Sequence, residues 1–419
     1  MYNKIKPKSE FSRNVLTLMT GATIAQAIPI LASPILTRLY SPSDFGILSL
    51  FVSIVTIFGA IANGRYELAI MLPEKEEDAV NVFALSILIA FFLSLLLMII
   101  VVIFHDSIIL LLNNKAISLW LYIMPVVVLL IGIFNSLNYF HTRKKEFKLI
   151  AKSNMFKTMI AAIIQVGLGI LHGGVSGLIS GRVFLYIVAN LVLLRDVLNK
   201  KKYSLISIPR MKFNFIRYLN FPKYSMVANL ANILSRNLIN ILISLFYSIS
   251  TLGLYSLVNR VLSMPMVLIG RSYGQVFYQK ATEEKHISGS AKVIFNRTYK
   301  RLTLVSIIIG LILFFLIKDA FAIIFGEQWR IAGYYCQILL PLFLVRFIVS
   351  PISIINSIFE KQKISLYWQI GLLILTLSVF IITKVMDLSF VTFLYCLTWI
   401  TTLYYILLFF ILKRIASGK

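Results

Sequence analysis

The chain has 419 residues, of which 59% are hydrophobic and 14% are charged, and its formal net charge is +25. Soluble proteins are nearer ~45–50% apolar and ~25% charged, so this composition excludes a soluble enzyme, a secreted disulfide scaffold and a disordered chain. The two cysteines and four scattered histidines form no metal-binding spacing, and no phosphate-binding glycine loop or nucleophile motif is present. We therefore expect no catalytic residue, no metal and no cofactor.

Apolar runs of ~20 residues predict spanning helices. In chain order, twelve such runs cover about 15–36, 46–63, 80–104, 118–139, 154–172, 174–194, 224–246, 252–270, 302–324, 332–358, 364–383 and 388–412. The apolar character of the first run continues past Ala27, so we interpret it as an uncleaved helix rather than a signal peptide. The sequence thus predicts an all-α polytopic membrane protein with twelve transmembrane helices.

Lysine and arginine are distributed unequally between the loops. With twelve spans both termini share one side, which holds 32 Lys and Arg, whereas the other side holds 5. The positive-inside rule places the termini in the cytoplasm. The basic excess is therefore a topology signal with some attraction to membrane lipids, and we expect no nucleic-acid partner.

The two halves of the chain resemble each other. A shift of 207 residues places Ile35–Leu50 over Leu242–Leu257, and six of the sixteen positions are identical. Six spans per half give the halves the same orientation, related by an axis along the membrane normal. We expect two pseudo-symmetric six-helix bundles, residues 1–205 and 206–419, around a central cavity.

Polar residues share helical faces on several spans. Span seven carries Ser225, Asn229, Asn232, Arg236 and Asn240, span eight carries Ser256, Asn259, Arg260 and Ser263, span two carries Ser49, Ser53, Thr56 and Asn63, and span one begins with Arg13, Thr17 and Thr20. Such faces either tie helices together by hydrogen bonds or line a water-filled cavity. Because the stripes carry arginines, we favour the cavity for the whole set.

The sign of the charges within the spans indicates the ligand. Arg182, Arg236, Arg260 and Arg346 lie within spans, whereas the sixteen acidic residues lie in loops or near span ends. A guanidinium group suits phosphate and carboxylate, so the cavity should accept an anion. The candidate substrate-binding residues are Arg236, Arg260, Arg13, Asn229, Asn232, Asn240, Asn259, Ser53, Asn63, Arg182 and Arg346.

Three segments carry a family resemblance: Leu36–Phe51 (LTRLYSPSDFGILSLF), Arg65–Pro73 (RYELAIMLP) and Phe325–Gly333 (FGEQWRIAG). They resemble the O-antigen and polysaccharide flippases of the multidrug/oligosaccharidyl-lipid/polysaccharide exporter superfamily. The resemblance implies a V-shaped pair of six-helix bundles that moves an undecaprenyl-pyrophosphate-linked oligosaccharide from the cytoplasmic to the outer leaflet, without ATP. The alternative for Ser41–Asp44 is a helix cap, and the alternative for Arg65 and Glu67 is an interfacial pair.

Three other functions match the sequence less well. A purely structural membrane scaffold would leave the arginine-bearing polar stripes unexplained. A cation or drug antiporter of the same superfamily predicts a carboxylate in mid-span, and a polysaccharide polymerase predicts a large outer loop; the sequence has neither. A flippase for peptidoglycan or teichoic precursors remains an alternative substrate class. The expected partners are the lipid-linked oligosaccharide, membrane lipids and the polymerase of the same pathway, at the bacterial plasma membrane.

Overall fold

The computed structural model describes residues 10–199, 205–265 and 270–418, and these residues form helices without any strand. They divide into two compact units, Met1–Leu245 and Phe246–Lys419. The helices of the first unit are α1 Glu10–Leu39, α2 Pro42–Gly59, α3 Tyr66–Ala69, α4 Glu76–Leu112, α5 Ser118–Arg143, α6 Phe147–Ile170, α7 Val175–Asn199, α8 Ile208–Arg217 and α9 Val227–Phe246. Those of the second unit are α10 Ile249–Pro265, α11 Arg271–Ser288, α12 Lys292–Phe325, α13 Arg330–Ile352, α14 Ile355–Ile358, α15 Gln362–Val385 and α16 Phe390–Ala416.

Long helices packed side by side form the body of each unit. In the first, α6 packs against α1 and α7, and α4 packs against α5; in the second, α13 packs against α12, α16 and α10. Small residues allow the closest approaches. A Cβ atom on Gly132 of α5 would come within 2.5 Å of the Ala90 Cβ on α4, and one on Gly333 of α13 within 2.8 Å of the Lys318 Cα on α12. Glycine at such positions is typical of helix packing in membranes.

The membrane class predicted from composition is confirmed. Among the described residues, ten helices are long and apolar enough to cross a bilayer, and Thr23–Leu39 is a shorter apolar helix. Helix α10 has 17 described residues, and 266–269, which follow it, lie outside the described residues. The all-helical multi-span fold is therefore established, and the count of twelve spans stays a prediction.

Equivalent helix ends in the two halves of the sequence support the repeat. Helix α1 ends at Leu39 and α9 ends at Phe246, and α2 begins at Pro42 and α10 at Ile249. Both pairs are separated by the 207 residues of the sequence shift. Farther along, α4 and α12 are each followed by a single 3₁₀ turn and then a long helix. The division after Leu245 differs from the expected boundary at 205 because α8 and α9 group with the first unit.

Candidate functional site

The polar face of α9 contacts α2 within the first unit. The Asn240 amide donates a hydrogen bond of 2.9 Å to the hydroxyl of Ser53. Eleven residues earlier, the Asn229 amide donates to the carbonyl oxygen of Ala60 at 3.3 Å. The two amides share a helix face, so this face is turned toward α2 at both ends. The structure thus brings Ser53, Asn229 and Asn240 of the predicted set together.

Arg236 lies between these two contacts on the same face of α9. Its side chain is exposed, and within the described part of the chain it makes no ion pair or hydrogen bond. Asn232, one turn before it, is half-buried. Arg236 therefore shares a helix face with the Asn229 and Asn240 amides and has its N–H donors available, an arrangement suited to an anionic oxygen.

Asn63 has a different environment from the other predicted residues. It is 2% exposed, and its amide nitrogen lies 3.0 Å from the Gly132 carbonyl oxygen and from the Ser136 hydroxyl, and 3.1 Å from both the carbonyl and the hydroxyl of Ser86. These groups belong to α4 and α5. The arrangement matches the alternative considered for the polar stripes, a hydrogen-bonded tie between helices.

The predicted residues of the second unit are half-buried. The Asn259 amide donates to the Tyr255 carbonyl oxygen of its own helix at 3.2 Å. Arg260 is the next residue, also half-buried. The guanidinium carbon of Arg346 lies 5.2 Å from the Phe343 ring centroid and 5.8 Å from that of Tyr405. Aromatic rings hold a guanidinium group by cation–π attraction without neutralising its charge.

Two predicted arginines lie in the outer helices of the first unit. Arg13 is on α1, and its side chain lies outside the described residues. Arg182 is half-buried on α7, close enough to Lys157 of α6 for their charges to interact. Lys157 was not among the predicted site residues, because it stands only three residues into the predicted span 154–172 and was counted with the basic residues of the preceding loop. The structure starts α6 earlier, at Phe147, which places Lys157 ten residues inside the helix. The periodicity of the segment 147–153 was the signal that could have revealed the earlier start.

Residues of the first two motif segments form local structural contacts. Ser41 caps α2: its hydroxyl accepts from the Asp44 amide, and the Asp44 carboxylate accepts from the Ser41 amide, which confirms the alternative of a capping box. An Arg65 guanidinium nitrogen lies 3.3 Å from a Glu67 carboxylate oxygen, so the alternative of an ion pair is confirmed as well. Burial raises the pKa of Glu67, and the positive charge of Arg65 opposes this shift.

Hydrogen bonds to α8 and α5 hold the second motif segment, Arg65–Pro73, in place. The Tyr66 hydroxyl donates to the Phe215 carbonyl oxygen on α8 at 2.8 Å. The Arg143 guanidinium donates to the carbonyl oxygens of Ile70, Met71, Pro73 and Glu74. In the third motif, Arg330 pairs with both carboxylate oxygens of Glu327 and with Asp319.

A cluster of His141, Glu146 and Asp196 is the one group of at least three His, Cys, Asp or Glu side chains with metal-ligand proximity among the described residues. The Nε2 of buried His141 lies 3.0 Å from the Leu193 carbonyl oxygen, and its Nδ1 contacts the Glu146 carboxylate. A metal would have to displace that contact, and Lys152 and Arg195 line a pocket with Asp196. The cationic surroundings disfavour a metal, so we assign none.

Residues 35–332 match the model of a family described as polysaccharide biosynthesis proteins. The chain belongs to this family. It is 24% identical over 358 residues to the succinoglycan biosynthesis transport protein ExoT of Rhizobium meliloti, covering 82% of this chain and 67% of that protein. It is 26% identical over 161 residues to the teichuronic acid biosynthesis protein TuaB of Bacillus subtilis, covering 38% of this chain and 33% of that protein.

Solved transporters share the fold. The lipid II flippase MurJ in an inward closed conformation superposes with a TM-score of 0.69 at 14% identity, covering 95% of this chain and 86% of that chain. An inward-facing multidrug resistance MATE transporter superposes with a TM-score of 0.64 at 12% identity, covering 95% and 99%. These likenesses confirm the superfamily fold expected from the motifs. Together with the family, they establish the chain as a multi-pass membrane protein of polysaccharide biosynthesis with a transporter fold.

Proposed function

We propose that this protein flips an undecaprenyl-pyrophosphate-linked oligosaccharide from the cytoplasmic to the outer leaflet of the bacterial plasma membrane by alternating access. Its family and its relative in succinoglycan transport support a lipid-linked saccharide as the substrate. The excess of Lys and Arg on one side supports cytoplasmic termini.

The observation that carries the proposal is the environment of Arg236. This exposed guanidinium group lies between Asn229 and Asn240 on one face of α9, and no carboxylate pairs with it in the described residues. A planar guanidinium group can bind two phosphate oxygens at once. The amides can exchange their present partners for sugar hydroxyl groups. The face therefore offers both kinds of donor that a pyrophosphate-linked saccharide requires.

The proposal extends to polar residues of the second unit. Asn259 and Arg260 are adjacent on α10 and half-buried, and Arg346 keeps its positive charge while its flanks contact two rings. We propose that these residues, together with Asn232 and Arg13, bind the same substrate during the transport cycle. Asn63 is left out because its amide is already engaged by four protein groups.

The acidic residues argue against a cation or drug antiporter. Such carriers use a carboxylate in the membrane interior. Here the deepest candidates within long helices, Asp106 of α4 and Asp319 of α12, each lie six residues before the end of their helix. Asp319 also pairs with Arg330. An anionic substrate is therefore the better match to the charges of the helix interiors.

The test replaces Arg236 by Gln and by Lys, in cells whose surface polysaccharide depends on this gene. Losing a charge-assisted hydrogen bond to phosphate should cost about 1.5–3 kcal/mol, roughly ten- to a hundred-fold in affinity. We expect Arg236→Gln to abolish export at normal membrane abundance and Arg236→Lys to rescue it in part. The matched control is Arg414→Gln, which removes an exposed arginine in the last turn of α16. Full export by Arg236→Gln would overturn anion binding at this position.

We also propose that the polymerase of the same pathway receives the flipped oligosaccharide and lies beside this protein. Crosslinking in intact membranes, followed by purification of this chain, should then recover the polymerase. Equal recovery of an unrelated polytopic protein would contradict a specific partnership.

A further inference from the structure

Two positively charged side chains lie on the packed helices α6 and α7 of the first unit, away from the polar face of α9. Lys157 of α6 and Arg182 of α7 are close enough for their charges to interact. The Lys157 ammonium lies 3.9 Å from the ring centroid of Phe134 on α5. The Phe134 ring meets that of Tyr186 edge-on, with centroids 6.1 Å apart, and Tyr186 is one turn from Arg182 on α7. Three helices thus bring two cations and two aromatic rings together.

Both cations lie well inside their helices. Lys157 is ten residues after the start of α6 at Phe147, or ~15 Å along a helix that rises ~1.5 Å per residue. Arg182 is seven residues after the start of α7 at Val175, or ~10 Å along it. The helices run in opposite directions, and the hydrocarbon core of a bilayer is ~30 Å thick. Both side chains therefore extend from backbone positions within the core.

Nothing in the described residues neutralises this charge. Neither Lys157 nor Arg182 has a carboxylate partner there, and the rings of Phe134 and Tyr186 carry no charge. Two like charges in a medium of low dielectric constant repel each other, and each also loses hydration. Buried charges in proteins are as a rule paired. The pair therefore lacks one negative charge.

We propose that Lys157 and Arg182 together bind a small inorganic anion of the halide class, with chloride as the physiological ligand. The ammonium and guanidinium groups supply N–H donors from two helices, and the two rings shield the anion from water. Lys157 and Arg182 are half-buried, which leaves a route for a small ion. A halide carries one charge and loses its hydration at a smaller cost than a polyphosphate does. The bound ion joins α6 to α7 and stabilises the first unit.

The first experiment measures thermal unfolding of the purified full-length protein. Sodium chloride replaces sodium gluconate at constant ionic strength, so that a small halide replaces a bulky organic anion while the cation stays the same. We expect the melting temperature of the wild type to rise saturably with chloride, because a ligand that binds only the folded state stabilises it. Lys157→Gln and Arg182→Gln should weaken the apparent affinity at least ten-fold. The absence of a saturable rise in the wild type would overturn the proposal.

Matched variants separate the site from general charge effects. Lys152→Gln removes an exposed lysine from the same helix and should retain the chloride response, as should Lys157→Arg, which keeps the positive charge. Loss of the response in Lys152→Gln would show that chloride acts on overall charge and would refute the site. Diffraction from crystals grown in sodium bromide should show an anomalous peak between Lys157 and Arg182, and a peak only elsewhere would also refute it.

A second titration with sodium pyrophosphate distinguishes a halide from the phosphate of the substrate. If pyrophosphate raises the melting temperature, chloride does not, and Lys157→Gln abolishes the rise, the site belongs to the substrate and the halide proposal is wrong. Arg236→Gln should retain the chloride response whether or not it exports polysaccharide. Failure of the halide site and failure of the proposed function therefore give different results.

Discussion

The amide of Asn240 donates a 2.9 Å hydrogen bond to the hydroxyl of Ser53, which joins α9 to α2 one turn after Arg236. Ser53 is 1% exposed, so its hydroxyl depends on protein partners. Hydrogen bonds of this kind between membrane helices contribute modestly, about 0.6 kcal/mol on average. A bond of that strength can hold the polar face in place and still open when a ligand binds.

We expect Asn240→Ala and Ser53→Ala to be coupled in a double-mutant cycle. The coupling energy in the free energy of unfolding should be about 0.6 kcal/mol and should not exceed about 1.7 kcal/mol. Reversible unfolding in mixed micelles measures it. Asn229→Ala combined with Ser53→Ala is the control pair, because Asn229 binds the Ala60 carbonyl oxygen instead. Additive effects of Asn240→Ala and Ser53→Ala would contradict the hydrogen bond.

Equivalent serines begin the second helix of each half, so their substitution should have similar effects. The Ser41 hydroxyl accepts from the Asp44 amide at 3.2 Å, and the Ser248 hydroxyl accepts from the Thr251 amide at 3.0 Å, 207 positions later. Ser41→Ala and Ser248→Ala should each lower the free energy of unfolding by about 1 kcal/mol. The larger effect is expected at Ser41, because that substitution also removes the capping box.

Ser43→Ala is the control for the caps, since the Ser43 hydroxyl makes no hydrogen bond within the described residues. Unfolding monitored by circular dichroism in detergent provides the measurement. A cost at Ser43 equal to that at Ser41 would show that the capping hydrogen bonds add no stability.

Features that depend on neighbouring residues or on composition could be predicted from the sequence alone. The Ser41–Asp44 cap, the internal repeat and the membrane class were all accessible, because each depends on neighbouring residues or on composition. The start of α6 was missed by seven residues, since Lys148 and Lys152 lower the hydropathy of its first two turns. The partners of side chains were beyond sequence reasoning: Arg346 contacts Tyr405, 59 positions away, through the packing of α13 on α16.

Glu67 should give the protein a dependence of stability on pH. Burial raises its pKa, so the folded state binds the proton more tightly than the unfolded state does. Stability is then greatest below the ordinary pKa of the carboxyl group, and it falls as pH rises through the higher pKa of the folded state. Glu67→Gln should remove this contribution and make the melting temperature less dependent on pH.

The measurement compares melting temperatures between about pH 4 and pH 8 in the wild type and in Glu67→Gln. Glu74→Gln, an exposed position in the same connection between α3 and α4, is the control and should follow the wild type. Parallel curves for the wild type and Glu67→Gln would mean that the pKa of Glu67 is the same in the folded and unfolded states.

Asn63 should be the most sensitive of the polar positions for stability. Its amide nitrogen lies 3.0–3.1 Å from four oxygen atoms on α4 and α5, and the residue is 2% exposed. Asn63→Ala leaves buried acceptors without a donor and should cost about 1–3 kcal/mol. Asn63→Asp should cost more, because an ionised carboxylate cannot donate and would face carbonyl and hydroxyl oxygens. Asn63→Ser keeps one donor and should fall between the wild type and Asn63→Ala.

The same series separates a structural tie from substrate binding. If Asn63 acts only within the protein, the loss of polysaccharide export should follow the loss of folded protein in the membrane, and export per folded molecule should stay constant across the Ser, Ala and Asp variants. Arg236→Gln should show the opposite behaviour, with abundance kept and export lost. Export that disappears in Asn63→Ala at full abundance of folded protein would return Asn63 to the substrate-binding set.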